Sequence, residues 1–484
     1  MKKSLFCFVL FCNLIGGCQN SEPPTTATQP SQMPSLDSSR TAATSDSDEP
    51  MTAEQALVLI EEAKNTKATS LTLNNLVEPV PHELYQLTDL VSLTLGNYGG
   101  STTLSDSIGL LKNLKVLNLS WNVSLERLPD SIGKLKNLRE LNVGYGKAPE
   151  FPKSMQNLTN IVSLAAYCLT TELPKTLGNL KYLRRLDMGK GEVTKFPASI
   201  GELVYLEEID CMKEYNLSEI PESFGNLRSL RRFRTGLNSI SKLPESFGNL
   251  QNLRFIQLGA LNKPLQLPSS FNQLQLDTLD LSSTQMSASS LEKLGGLRVK
   301  YLSLESCELK NLPENFGTMQ GLEELNLSKN ELQNLPASFG QLTSLKNLNL
   351  GNNKIKQLPE SFGALNQLDI LDLKINKFSQ VPSMIPNLGQ LTFLDLGNNN
   401  ISRLPANFKQ LARLEYLSFF NNNFTDFPNE IASLTKLGTL DFSKNSLSKF
   451  PESIKKLKEL TDCSLGGNKI SNLPANYDKL GSDD

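Results

Sequence analysis

Three aspartates recur in step along the later half of the chain. Asp372 and Asp395 stand 23 residues apart, and Asp441 follows 46 residues on. Carboxylates that a fold brings side by side could hold a hard cation or share acid and base duty. Each lies in a Leu-Asp-Leu or Leu-Asp-Phe tripeptide with no third ligand type beside it, so a structural role is expected. A second set is aromatic and basic: Trp121, Tyr145 and Tyr167, then Arg184, Arg185, Arg231, Arg232, Arg234 and Arg254. These residue types dominate binding hot spots, so their chemistry is recognition. The competing reading pairs the arginines with Glu207, Glu208 and Asp210 in a solvated charge mosaic. Histidine chemistry is almost removed, because His82 is the sole histidine and follows Pro81 on what should be an exposed outer turn. With no glycine-rich phosphate loop, CxxC pair or serine elbow, neither catalysis nor a metal or cofactor is expected.

The elements that must position these residues are short and repeated. From Leu322 to Ser344 the chain reads LEELNLSKNELQNLPASFGQLTS, 23 residues, and a near copy starts at Leu345. Leucines fall at places 1, 4 and 6, an asparagine at place 9, and Leu-Pro, Phe-Gly and a last leucine follow. Alternation around Leu325 and Leu327 predicts a strand with those two inward and Glu324, Asn326 and Ser328 outward. Phe339 and Leu342 then return apolar groups to the core. One such unit buries too little to offset the ordering of its own backbone, so stacking must supply the difference.

The pattern resembles the leucine-rich repeat. The resemblance implies an α/β solenoid, a horseshoe with a concave parallel sheet and a convex wall of short helical or 3-10 turns. It also implies that Asn330 and its equivalents form a buried ladder of side-chain amides bonded to the backbone of adjacent turns. The Leu-Pro-x-x-Phe-Gly-x-Leu variety (Leu335 to Leu342, Leu243 to Leu250) is similar to repeats of plant disease-resistance and Ras–Raf scaffold proteins and of exported bacterial repeat proteins.

Repeats start at Ala68, Leu90, Leu114, Leu138, Ile161, Leu183, Leu206, Leu230, Leu253, Leu276, Val299 and Leu322. They continue at Leu345, Leu368, Leu391, Leu414, Leu437 and Leu460, which makes about 18 over 68–484. From Leu322 onward the ladder place holds Asn330, Asn353, Asn376, Asn399, Asn422, Asn445 and Asn468. Earlier, only Asn122 and Asn238 keep it, and Cys307 stands in once. The repeat at Leu276 lacks Leu-Pro, and its Ser289-Ser290-Leu291-Glu292 predicts a true helix start. Phe255, Tyr301, Phe393 and Tyr416 look scattered over the sheet. No kinase or ligase domain and no separate C-terminal cap are expected after the repeats, and Asp462 is the charge guarding the last strand.

Before the repeats, Thr52-Ala53-Glu54-Gln55 is a capping-box pattern opening a short amphipathic helix over 51–67 that covers the first repeat. Residues 19–50 are rich in Ser, Thr, Pro and Asp and are expected to be a disordered tether. Lys2-Lys3, an apolar run to Ile15 and Gly16-Gly17-Cys18 are similar to a bacterial lipobox, with residues 1–17 as signal peptide. That resemblance implies acylation of Cys18 and a membrane anchor on the bacterial cell envelope. Cys168, Cys211, Cys307 and Cys463 fall in separate repeats, too far apart for disulfides.

A net charge of -2 and a pI near 5.9 give no field that would draw the 484-residue chain to nucleic acid. The expectation is a monomeric, non-enzymatic envelope lipoprotein that holds a protein or peptide on its concave face. The alternatives are glycan or cell-wall binding through the aromatic cluster, and an envelope spacer without a specific ligand.

Overall fold

A computed structural model describes residues 41–44, 49–97, 102–122, 124–144, 151–166, 172–189, 192–212, 216–450 and 452–471. The chain divides into two units, Met1–Thr41 and Ala42–Asp484, and every repeat belongs to the second. Cys18 and most of the expected tether lie outside the described residues, as do Tyr145, Tyr167 and Cys168. A four-residue strand, Thr41–Thr44, falls within the stretch expected to be tether.

Thr52 opens a helix over Ala53–Thr66 through a complete capping box. Its hydroxyl accepts the Gln55 N–H at 3.3 Å, and Gln55 Oε1 accepts the Thr52 N–H at 2.9 Å. Ala56, Ile60 and Ala63 are the buried face, with Leu59 packed at its margin. Eighteen strands follow, from Ser70–Thr72 to Asp462–Ser464, each pairing in parallel with the next in one open sheet. The register is strict: Ile370 opposes Phe393, and Phe393 opposes Tyr416. Period-two alternation buries the middle residue of the strands, as at Leu71, Leu93 and Leu117.

The other wall is built of 3-10 turns such as Ala337–Gln341, entered through Pro336, whose ring fixes φ near -64°. Phe316, Phe339 and Phe362 stack along it at 6.4 and 6.0 Å between centroids. Neighbouring strands repeat at about 4.8 Å, so the wall side is the wider and the sheet is the concave face. Gly340 shows how tightly the wall packs: a Cβ there would lie 2.0 Å from the Ser361 carbonyl oxygen. The repeat at Leu276 has an α-helix, Ala288–Glu292, as its odd sequence predicts. The cap is Ser287 rather than Ser289, its hydroxyl accepting the Ser290 N–H at 3.2 Å.

The amide ladder is present. Asn353 donates to the carbonyls of Leu327 and Leu350 at 2.9 and 3.0 Å and accepts the Leu332 N–H at 3.0 Å. Asn330, Asn376, Asn399, Asn422 and Asn445 repeat the arrangement. Cys307 takes the same place, its thiol 3.2 Å from the Leu281 carbonyl. Burial pushes that thiol and Cys463 up to about 12, so both are inert core groups. Cys211, Cys307 and Cys463 are all buried, and Cys307 and Cys463 are free thiols.

Candidate recognition surface

On the concave face, places 2 and 3 of each repeat open the strand and stand clear of the core, while place 5 is half-buried in most repeats and fully buried in several. Asn326, Asp372, Asp395 and Ser418 are all buried at place 5, and Ser328 is buried at place 7. The expectation that Asn326 and Ser328 point freely outward is therefore corrected. The cause is a second hydrogen-bond ladder that pattern reading did not find. The place-5 side chain accepts the backbone N–H two residues on: Asn118 from Ser120, Asn142 from Gly144, Asn326 from Ser328 and Asn349 from Gly351, at 2.9–3.0 Å. Asp372 and Asp395 do the same to Lys374 and Gly397 at 3.0 and 2.8 Å, and Asp441 to Ser443 at 2.9 Å. The aspartates are part of the strand exit, which is the structural role their sequence context suggested.

Arg184, Arg185, Arg231, Arg232 and Arg254 sit at the strand starts, whereas Arg234 closes its strand. Arg185, Glu208, Arg232 and Phe255 are register partners on four successive strands. Arg184 pairs with Glu207 at 2.6 Å and Arg234 with Asp210 at 2.7 Å. These pairs are a third to a half exposed, screened by solvent, and contribute about 0–1 kcal/mol each. Arg254 turns away and donates to the carbonyls of Gln251, Leu253 and Gln275 at 2.8–3.0 Å. Arg232 lies 5.4 Å from the Phe255 ring centroid, a cation–π contact. Arg231 and Arg232 are exposed and Arg185 half-buried, with no ion-pair partner for these three among the described residues. The charge mosaic thus accounts for part of the set and leaves a basic remainder.

Trp121 is 55% exposed and left-handed at φ 66°, in the turn that leaves its strand. It therefore stands at the strand end opposite Arg231 and Arg232. Sequence reading missed Tyr182 and Tyr205, whose exposed rings stack at 6.2 Å just before Leu183 and Leu206. Their signal was equal placement in consecutive repeats, one residue before the leucine that opens each. His82 is exposed on the first 3-10 turn, its ring edge-on to Tyr85 at 6.4 Å.

The later half gathers a different set. Phe393 and Tyr416, expected to be scattered, are adjacent and stack at 4.3 Å with rings nearly parallel. One row along, Lys374 Nζ lies 3.0 Å from Asp372 Oδ2 and 4.0 Å from Asp395 Oδ2. Burial, and then the Asp372 charge, push Asp395 up to about 6, and burial raises Asp372 as well. Among the described residues, no group of three or more His, Cys, Asp or Glu is placed to hold a metal ion. A small apolar cavity lined by Phe151, Met155, Leu164, Ala166 and Leu177 marks a packing shortfall, since Ala166 takes a place that leucine fills in most repeats.

A leucine-rich repeat region model matches residues 71–191 and 340–423, and a leucine rich repeat model matches 298–355. A comparison with curated proteins finds no match. Among solved structures, the chain is similar to a leucine-rich repeat protein of Leptospira interrogans, at 29% identity and TM-score 0.55, over 84% of this chain and 92% of that one. It is also similar in fold to a Drosophila chain from the Toll–Spätzle complex, at 21% identity and TM-score 0.69, over 83% of this chain and 58% of that one. No described helix is long and apolar enough to cross a membrane. With strands in parallel register, a buried amide ladder and a 3-10 outer wall, the chain is a leucine-rich repeat solenoid.

Proposed function

We propose that the protein is a non-enzymatic scaffold, tethered to a bacterial cell envelope, that holds a protein or peptide on its concave face. The observation that carries this is the basic remainder on that face: Arg231 and Arg232 stand exposed on adjoining places of a strand whose backbone is fixed by both neighbours. A rigid sheet presenting arginines loses little conformational freedom on binding, which favours a protein surface or an extended peptide. The 29% identical Leptospira neighbour supports the bacterial setting. Crosslinking in the native host followed by capture tests the reading. Arg231→Glu/Arg232→Glu should lose the partner at least tenfold, and undiminished capture by that variant refutes the patch.

The tether rests on Lys2-Lys3, the apolar run and Cys18. Labelled palmitate should enter the chain and fail to enter Cys18→Ser, which should also leave the membrane fraction. Labelling of Cys18→Ser would remove the lipid assignment. Glycan binding is a second reading favoured by the exposure of Trp121 and of the Tyr182–Tyr205 stack. A glycan array with wild type and Trp121→Ala decides it by specific retention of the former alone.

A further inference from the structure

Every place-5 aspartate uses one carboxylate oxygen to accept a backbone N–H, and asparagine performs that task at Asn118, Asn142, Asn326 and Asn349. The negative charge of Asp372 and Asp395 is therefore surplus to the fold. The two are register partners one strand apart, and their second oxygens converge on a single ammonium, that of Lys374. Asp369 and Glu415 at place 2 and Asp441 at place 5 add to the same sign. Two strands present the Phe393–Tyr416 stack beside these carboxylates, half-buried and open to the face. At Gly351 and Gly397 the repeat omits the side chains that would crowd the carboxylates, since a Cβ there would lie 3.2 Å from Asp372 Oδ1 and 3.1 Å from Asp395 Oδ1. The sign is opposite to that around Arg231 and Arg232.

We propose that the face from Ile370–Asp372 to Tyr416–Ser418 docks a basic segment of the partner, a lysine or arginine stem lying along Phe393 and Tyr416 with its cationic head over Asp372 and Asp395. This rests on the scaffold reading above and names the chemistry of the partner. The aromatic pair supplies apolar contact and cation–π attraction, and the carboxylates supply the counter-charge that one lysine leaves incomplete. Six strand steps separate Arg232 from Asp372, about 29 Å at the usual strand spacing. An extended partner crossing both regions would carry its acidic and basic groups about nine residues apart.

The test titrates the full chain with fluorescein-labelled decalysine, and with decaglutamate and a Gly-Ser decamer as controls, by anisotropy at low and moderate salt. Decalysine should bind, and Asp372→Asn/Asp395→Asn should weaken it tenfold or more while keeping the backbone bonds and the circular dichroism spectrum. Phe393→Ala/Tyr416→Ala should weaken it severalfold. Equal decalysine affinity in the double Asn variant, or no preference over the Gly-Ser decamer, overturns the proposal. If the native partner is lost by Arg231→Glu/Arg232→Glu but kept by the double Asn variant, the basic-segment assignment fails and the scaffold reading stands. If decalysine binds as described but neither patch captures a partner, the scaffold reading fails and the cationic subsite stands.

Discussion

Asp395→Asn should stabilise the protein at neutral pH and do nothing in acid. Asp395 is 8% exposed, with Oδ1 held by the Gly397 N–H at 2.8 Å and Oδ2 4.0 Å from Lys374 Nζ. Burial and the neighbouring Asp372 charge raise it to about 6, against about 3.9 in an unfolded chain. The folded state then binds more protons than the unfolded state between those values, so stability falls as pH rises through that window. The stability present below about pH 4 is lost above about pH 6, an amount on the order of 2–3 kcal/mol. Asparagine keeps the Oδ1 acceptor and removes the charge that Asp372, Lys374, Asp441 and Tyr416 surround. Urea midpoints at pH 7.5 and pH 4, with hydrogen exchange across 368–420, measure the effect. The variant should gain about 1–3 kcal/mol at pH 7.5 and match wild type at pH 4. A variant less stable at pH 7.5, or a gain of equal size at both pH values, refutes the reasoning.

Other perturbations isolate other parts of the fold. Asn376→Ala removes donation to the Leu350 and Leu373 carbonyls and strands the Ile355 N–H, so urea denaturation should register a loss of about 1–3 kcal/mol. Gly340→Ala drives a Cβ into the Ser361 carbonyl and should cost about 1–3 kcal/mol by the same assay, whereas Gly389→Ala, with nothing within 4 Å, should be neutral. Ile375 is β-branched at φ 53°, and Ile375→Asn should stabilise by about 1 kcal/mol, since Asn352, Asn398 and Asn421 hold the same left-handed turn. Ala166→Leu should raise the melting temperature by filling the cavity beside Leu164 and Leu177; a lowered value would mean that the site is closed rather than underpacked.

The amide ladder was legible because Asn330 and Asn353 repeat one residue type at one interval, and a buried amide has few ways to be satisfied there. The place-5 bracket was not, because Asn326, Asp372 and Ser303 all serve it. Its partner is a backbone N–H, which sequence does not mark. Phe339 was read correctly as returning to the core, but the need for glycine at Gly340 arises from the next repeat, across 21 residues of chain. Phe393 and Tyr416 shared a place and an interval of 23 residues, so their stacking was within reach; inspection of aromatics one by one hid it. Trp121 illustrates the opposite failure. Counting it with Arg231 and Arg232 ignored that a strand is about 10 Å long and that its two ends present different surfaces.

The distribution of cost along the face points the same way as its charge. A leucine at place 4 or an asparagine at place 9 is bound to its identity by burial, so neither reports on a partner. Asp372 and Asp395 are different, because the fold asks only for an acceptor and receives a charge that is expensive to bury. Ile375, 43% exposed in a conformation that suits asparagine or glycine, carries a similar unforced penalty one residue from Lys374. Penalties without a structural return, gathered within two adjacent repeats and beside an aromatic stack, are what a surface shaped for contact shows before the contact is made. If Asp395→Asn and Ile375→Asn both stabilise the protein and together weaken decalysine binding, the exchange of stability for recognition is located on this face. If they stabilise it and binding is unchanged, the two residues are flaws in the repeat and nothing more.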